Sequence, residues 1–150
     1  KEYEAPSKRF RVSMPEKPEF GRKNFVDSTK GEKRVYEMAI SRTLSNTLYI
    51  VNVIHLIDRN RDVTDEFILR DLLSDMVKSK PDNKIVQLQT EPYLGYAAMQ
   101  FKLENPETVM KGMAFVKDDI AYVLTVVGRP PFDEVNDFQY FVNSFQIIPE

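Results

Sequence analysis

The chain has 150 residues, enough for one domain, of which 42% are hydrophobic and 29% charged. Its formal charge of −2 gives no overall attraction to nucleic acid, and the absence of cysteine excludes disulfides, thiol nucleophiles and cysteine-ligated metals. No run of about 18 apolar residues is present to span a bilayer. The chain starts at Lys1 rather than Met, which is compatible with a membrane anchor or leader in a missing N-terminal segment.

Charge is unevenly distributed along the chain. Residues 1–42 contain 11 basic and 7 acidic residues, whereas residues 43–150 contain 10 and 16. A basic N-terminal third can form an interaction face for an acidic protein or a lipid headgroup surface, or it can be a solvated sheet edge. The basic residues that would gather there are Arg9, Arg11, Arg22, Lys23, Lys33 and Arg34.

The N-terminal third predicts strands separated by polar segments. Residues 1–7 are polar and are expected to be loose. From Arg9 to Met14 polar and apolar residues alternate, which is typical of a half-buried strand. The polar stretch Glu19–Gly31 is expected to be a long loop, with a short extended piece at Phe25 and Val26.

The central third predicts two strands and a helix. Alternation from Val35 to Ile40 indicates a strand, and Leu48–Ile57 is apolar on both faces, as expected for a central strand. A helix is predicted over about 64–80, with Thr64 as the N-cap and acidic residues in the first turn. Pro81 ends it.

The last third predicts a meander and a second helix. Four strands, Lys84–Thr90, Tyr96–Leu103, Val109–Lys117 and Ile120–Gly128, are joined by short connections and should therefore be antiparallel neighbours. A C-terminal helix is predicted over about 133–143. The predicted fold class is therefore α+β: a largely antiparallel six- to seven-stranded sheet with one inserted and one C-terminal helix, in an α/β/α sandwich.

These elements carry a resemblance to a known fold. The chain begins with RFRVSMP, contains an inserted helix and a meander, and closes on AYVLTVVG and DFQYFVNSFQI. In this order it resembles the PsbP-like proteins: the photosystem II extrinsic protein, many small exported or lipid-anchored bacterial proteins, and an import factor that binds the GTPase Ran. The matching positions are core and turn residues, namely Phe10, Val12, Pro15, Gly95, Tyr122, Phe138, Phe141, Ser144 and Phe145.

The resemblance implies a single 1–150 domain that binds a protein partner without catalysis or a cofactor. It also implies a bacterial, extracytoplasmic or membrane-associated location. Some members bind metal ions, but none of the matching positions is a catalytic residue, so no site is transferred.

The residues themselves offer only weak sites for chemistry. Asp58, Asn60, Asp62 and Thr64 resemble the start of a calcium loop, but Val63 and Leu69 stand where such a loop needs Gly and Glu. A polar turn that caps the following helix is the alternative. His55, the single histidine, is expected to be a hydrogen-bonded strand residue. No phosphate-binding glycine loop and no GxSxG motif is present.

Five residues are candidate contacts for a partner. Tyr93 and Tyr96 flank a Pro/Gly turn, where they can form a contact patch or pack over the core edge. Arg9, Arg11 and Arg34 are the basic candidates.

Three functions stay open on the sequence alone. The first is a non-enzymatic binding or accessory domain with a protein partner. The second is a small acidic protein similar to a secretion chaperone, which would dimerise. The third is a pocket protein or enzyme, for which Asn52, His55 and Gln100 are the available polar groups.

Overall fold

A computed structural model describes residues 1–26, 33–129 and 135–149, with side chains omitted at 25, 26, 135 and 136. Within these ranges the chain forms ten strands and two helices. The strands are β1 (Glu2–Glu4), β2 (Phe10–Ser13), β3 (Glu19–Val26), β4 (Lys33–Arg42), β5 (Leu48–Ile57), β6 (Lys84–Thr90), β7 (Ala98–Glu104), β8 (Val109–Lys117), β9 (Ile120–Gly128) and β10 (Gln146–Ile147). The helices are α1 (Asp65–Lys78) and α2 (Val135–Ser144).

The main sheet is built from two antiparallel meanders. Its seven strands lie in the order β3-β4-β5-β9-β8-β7-β6, and every pairing is antiparallel. After β5 the chain passes through α1 to the far edge, and β6 to β9 then return until β9 pairs with β5. This path leaves β3 and β6 as the two edges of the sheet.

Helix α1 begins at the predicted N-cap and covers one face of the sheet with its apolar side chains. Thr64 accepts a hydrogen bond from the Phe67 amide, and acidic residues occupy the first turn, so the predicted N-cap is confirmed. The buried stripe of α1 packs on β7 and β8. It consists of Ile68, Leu69, Leu72 and Leu73.

The second face of the sheet is covered by α2 and by a small sheet of order β1-β2-β10. Ser144, at the end of α2, accepts a hydrogen bond from the Ser13 amide at 2.9 Å and donates one to the Phe141 carbonyl. The next residue, Phe145, stacks on Phe10 with ring centroids 5.6 Å apart. The Phe-x-x-Ser-Phe sequence thus joins α2 to β2.

The predicted fold class is confirmed, with three differences in the N-terminal third. Residues 19–24 belong to an edge strand rather than a loop, and their side chains are all exposed, which explains the missing apolar pattern. The extended piece expected at Phe25 and Val26 is the end of this strand, and the rest of the predicted loop, 27–31, lies outside the described residues. Residues Glu2–Glu4 were expected to be loose but pair with β2, because Tyr3 packs against the core. Strand β2 belongs to the small sheet.

Candidate binding surface

The predicted basic residues do not form one patch, because strand register places them on different faces. Residues directly opposite each other in antiparallel strands share a face. Arg22 pairs with Glu37 on the α2 face, whereas Lys23 pairs with Tyr36 on the α1 face. Arg34 also lies on the α1 face, where it is only 6% exposed.

Ion pairs hold the three candidate arginines. Arg34 Nη2 lies 3.2 Å from Asp71 Oδ2 of α1, so this residue anchors the helix and has almost no surface to offer a partner. Arg11 pairs with Glu4 at 3.2 Å on the exposed surface of the small sheet. Arg9 is the third candidate.

Glu37 links Arg9 to the single histidine. Its Oε1 lies 4.0 Å from Arg9 Nε and 3.3 Å from His55 Nε2, and its side chain is only 15% exposed. His55 is therefore a hydrogen-bonded strand residue, as predicted.

Tyr93 and Tyr96 pack on the core edge, which was the second of the two alternatives. Their rings lie 5.0 and 6.1 Å from that of Phe115, and the Tyr93 hydroxyl donates to the Val142 carbonyl at 3.2 Å. Burial raises the pKa of Tyr93. Leu94, at the tip of the turn, is 63% exposed.

Burial also raises the pKa values of two other tyrosines on this side of the sheet, Tyr49 and Tyr122. Asp137 adds to the rise at Tyr49, whereas Arg9 opposes it at Tyr122. All three phenols are therefore held in their neutral form by the core.

The polar segment before α1 is a capping turn with ion pairs. Asn60 Oδ1 accepts from the Asp62 amide, and Arg59 donates to Asp65 at 2.6 Å. Arg61 makes two hydrogen bonds to Asp119 across the end of the sheet, at 2.6 and 2.9 Å. Within the described ranges no group of three or more His, Asp or Glu side chains is placed to hold an ion.

The polar residues proposed for a pocket do not converge. Asn52 pairs with Val123 on the α1 face, whereas His55 shares the opposite face with Val53. Gln100 lies on β7, separated from β5 by β8 and β9. These three side chains therefore share no cavity.

A different cavity lies between α1 and the ends of β4 and β5. It measures about 320 Å³ and has apolar walls that include Ile57 and Phe67, which are 42% and 58% exposed. Arg34 and Arg59 also line it, but both donate to carboxylates of α1. These two arginines therefore serve the packing of the helix.

The most exposed apolar strand is β6, at the sheet edge. All seven residues of β6 are exposed, and Ile85, Val86 and Leu88 retain 46%, 49% and 48% of their surface. Among the described strands β6 pairs only with β7, so its outer edge presents free backbone groups. The sequence predicted this strand but not its edge position, because strand order depends on where α1 delivers the chain.

A further groove lies beside β3, at the other edge of the sheet. It measures about 470 Å³ and is formed by the β1–β2 turn, Phe10, Phe20, Arg22 and Glu37. Phe20 is 40% exposed.

Comparison with known proteins shows the fold. No known protein family and no curated protein matches the sequence. Among solved structures, the chain is similar to cyanobacterial PsbP (CyanoP) from Synechocystis sp. PCC 6803, with a TM-score of 0.59 and 13% sequence identity. The match covers 98% of this chain and 91% of that one. Among the described residues, no helix has the length and apolar character needed to cross a membrane. The chain therefore has a PsbP-like fold.

Proposed function

We propose that this domain is a non-enzymatic binding or accessory module that acts through a protein–protein surface, with β6 as its main contact. The observation that carries the proposal is the combination of an open strand edge with three half-exposed apolar side chains. Such an edge favours association with another polypeptide, and proteins ordinarily protect it with charges, prolines or a covering segment. In β6 only Lys84 is charged, and the pairing with β7 shifts register between Ile85 and Gln87, so that the regular stretch open to a partner is 87–90.

The partner would add an extended strand to β6. Main-chain hydrogen bonds provide affinity in this binding mode, and alternate side chains provide specificity. Ile85 and Leu88 lie opposite Leu103 and Phe101, on the α1 face, so apolar side chains of the partner would extend the α1 core there. Gln87, opposite Lys102, presents a polar side to the other face.

The separation of the available polar groups supports a role without catalysis. A nucleophile needs a base and an orienting group within hydrogen-bond reach. In the described part of the chain, His55 has Glu37 as its partner, and Asn52 lies across the sheet from both. An extracytoplasmic or membrane-associated location in a bacterium is part of the same proposal and rests on the PsbP-like fold.

A matched pair of leucine variants tests the role of β6. Leu88→Lys places a charge on the strand, whereas Leu44→Lys makes the same change at a residue that is fully exposed in the loop after β4. Affinity capture from fractionated lysate of the source organism, read by mass spectrometry, should return a partner that Leu88→Lys loses and Leu44→Lys retains. Hydrogen exchange should then show new protection of β6 amides in the complex. A partner retained equally by both variants contradicts the assignment of β6.

The same edge would also suit a second copy of the chain, as the secretion-chaperone alternative requires. Gel filtration over a range of concentrations distinguishes the two. A dimer that Leu88→Lys dissociates and Leu44→Lys preserves would favour self-association over a separate partner.

A small-molecule pocket is the second candidate function, and the cavity beside α1 favours it. Its volume of about 320 Å³ is at the lower end of ligand sites, and its walls combine apolar residues with charged ones. A thermal-shift screen of metabolites tests it: stabilisation by one compound, abolished by Phe67→Lys, would support ligand binding there.

A further inference from the structure

We infer that the groove beside β3 binds an acidic segment of a protein that carries an apolar side chain. This groove is separate from β6, since the two strands are opposite edges of the seven-stranded sheet. It lies on the α2 face, between β3 and the turn that joins β1 to β2. Its apolar walls and its charged residues each limit which kind of segment can bind there.

The floor of the groove is apolar. Phe10 contributes a buried wall, at 3% exposure, and Phe20 keeps 40% of its surface although it lies opposite the buried Ala39. Aromatic surface beside a concave floor is typical of sites that take an apolar or aromatic anchor from a partner. A volume of about 470 Å³ lies within the range that encloses a small group of this kind.

Among the described residues that line the groove, Arg22 is the basic one. Arg22 is exposed, and no other described residue forms an ion pair or hydrogen bond with its side chain. Lys8 is exposed in the β1–β2 turn, next to the lining residues Pro6 and Ser7. Glu37 is the acidic group in the lining, and its carboxylate already faces Arg9 and His55. The groove therefore offers Arg22 to an incoming carboxylate, and Lys8 follows the lining residue Ser7 in the chain.

The recessed shape of the groove favours a protein segment over a membrane surface. A bilayer presents a broad plane of anionic headgroups, which a convex cationic surface with several inserted apolar side chains fits best. Here the apolar surface is recessed in a groove between β3 and the β1–β2 turn. A chain that alternates carboxylates with an apolar side chain can fill the recess and reach Arg22.

Nuclear magnetic resonance titration of the ¹⁵N-labelled domain provides the test. The probe is a short synthetic peptide in which Asp and Glu flank one Phe, compared with a peptide that has Lys at the acidic positions and another that has Ala in place of Phe. Amide shifts should change at Phe20–Arg22 and at 5–8 with the acidic peptide, more weakly without the Phe, and not with the Lys peptide.

Two charge reversals on one strand form the matched control. Arg22→Glu should weaken peptide binding at least about tenfold, as expected for loss of a charge-assisted hydrogen bond and its replacement by repulsion. Lys23→Glu makes the same change in charge on the opposite face and should alter affinity less than about twofold. Phe20→Ser should also weaken binding, with unfolding temperature measured to confirm that each variant is folded.

Three results would overturn the inference. The first is an acidic peptide that causes no shifts at the groove at low ionic strength. The second is equal loss of affinity in Arg22→Glu and Lys23→Glu, which would indicate attraction by net charge alone. The third is binding to phosphatidylserine vesicles that depends on Arg22 when the peptide does not bind, which would assign the groove to a membrane.

Discussion

Gly112 in β8 is a position where replacing a hydrogen atom by a methyl group should destabilise the fold. It lies directly opposite Phe101 of β7, whose ring covers it. A Cβ at Gly112 would lie 2.6 Å from Cε2 of this ring, 3.0 Å from Cε1, and closer still to Cζ. Phe101 is 2% exposed in the cluster beneath α1, so the ring has no open space into which to move.

The expected cost of Gly112→Ala follows from two opposing effects. Forcing a methyl group into a packed core costs about 1–3 kcal/mol. Replacing glycine reduces the conformational freedom of the unfolded chain, which stabilises by about 0.4–1 kcal/mol. Gly112 is not among the residues with positive φ, so no backbone strain is added. The net expectation is a loss of about 1–2 kcal/mol in the free energy of unfolding.

Urea denaturation followed by circular dichroism measures this loss as a lower midpoint at unchanged slope. Gly21→Ala is the matched control, because a Cβ at Gly21 would meet nothing within 4 Å, and it should be neutral or slightly stabilising. In a Phe101→Leu background, which frees space, Gly112→Ala should cost less than in the wild type. Equal stability of Gly112→Ala and the wild type would refute the proposed packing of the ring over the glycine.

Three further predictions concern the helix, its cap and the buried tyrosines. Asp71→Ala should destabilise by about 1–3 kcal/mol, since among the described carboxylates Asp71 is the nearer of the two that pair with the buried Arg34. Asp75→Ala removes the other, largely exposed partner and should cost less than about 0.5 kcal/mol, with both variants measured by urea denaturation. Thr64→Ala should cost about 1 kcal/mol in the same assay through loss of the N-cap. Burial holds the pKa of Tyr93 above the usual value of about 10, so the unfolded state loses the Tyr93 proton first. The contribution of Tyr93 to stability should therefore be constant below that pH and fall above it. This decline, followed by denaturation at several pH values, should be shallower in Tyr93→Phe, and an equally steep decline would contradict the pKa shift.

Local signals made the helix and the meander predictable. Thr64 followed by acidic residues has the composition of a helix start, and Pro81 follows the end of α1. The last four strands of the main sheet are separated by only a few residues, so their pairing was nearly determined by connection length. Strand β3 was missed because an edge strand with exposed side chains lacks apolar alternation.

The candidate surface was less predictable because it depends on register and strand order. Arg22 and Lys23 are neighbours in the chain but lie on opposite faces, and Arg34 is turned toward α1. The open edge of β6 likewise follows from the passage of the chain through α1 rather than from its own residues. Charge counted along the sequence therefore identified the basic third but not the groove within it.

The two proposed surfaces should act independently, because they lie at opposite edges of one sheet. Six strand spacings of about 4.8 Å separate β3 from β6, a distance of roughly 29 Å. Changes at sites this far apart usually have additive effects. We therefore expect Leu88→Lys to leave the affinity of the acidic peptide within about twofold of the wild type, and Arg22→Glu to leave capture of the β6 partner unchanged. Loss of both activities in either variant, with the unfolding temperature preserved, would instead indicate that one large partner wraps around the sheet and contacts both edges.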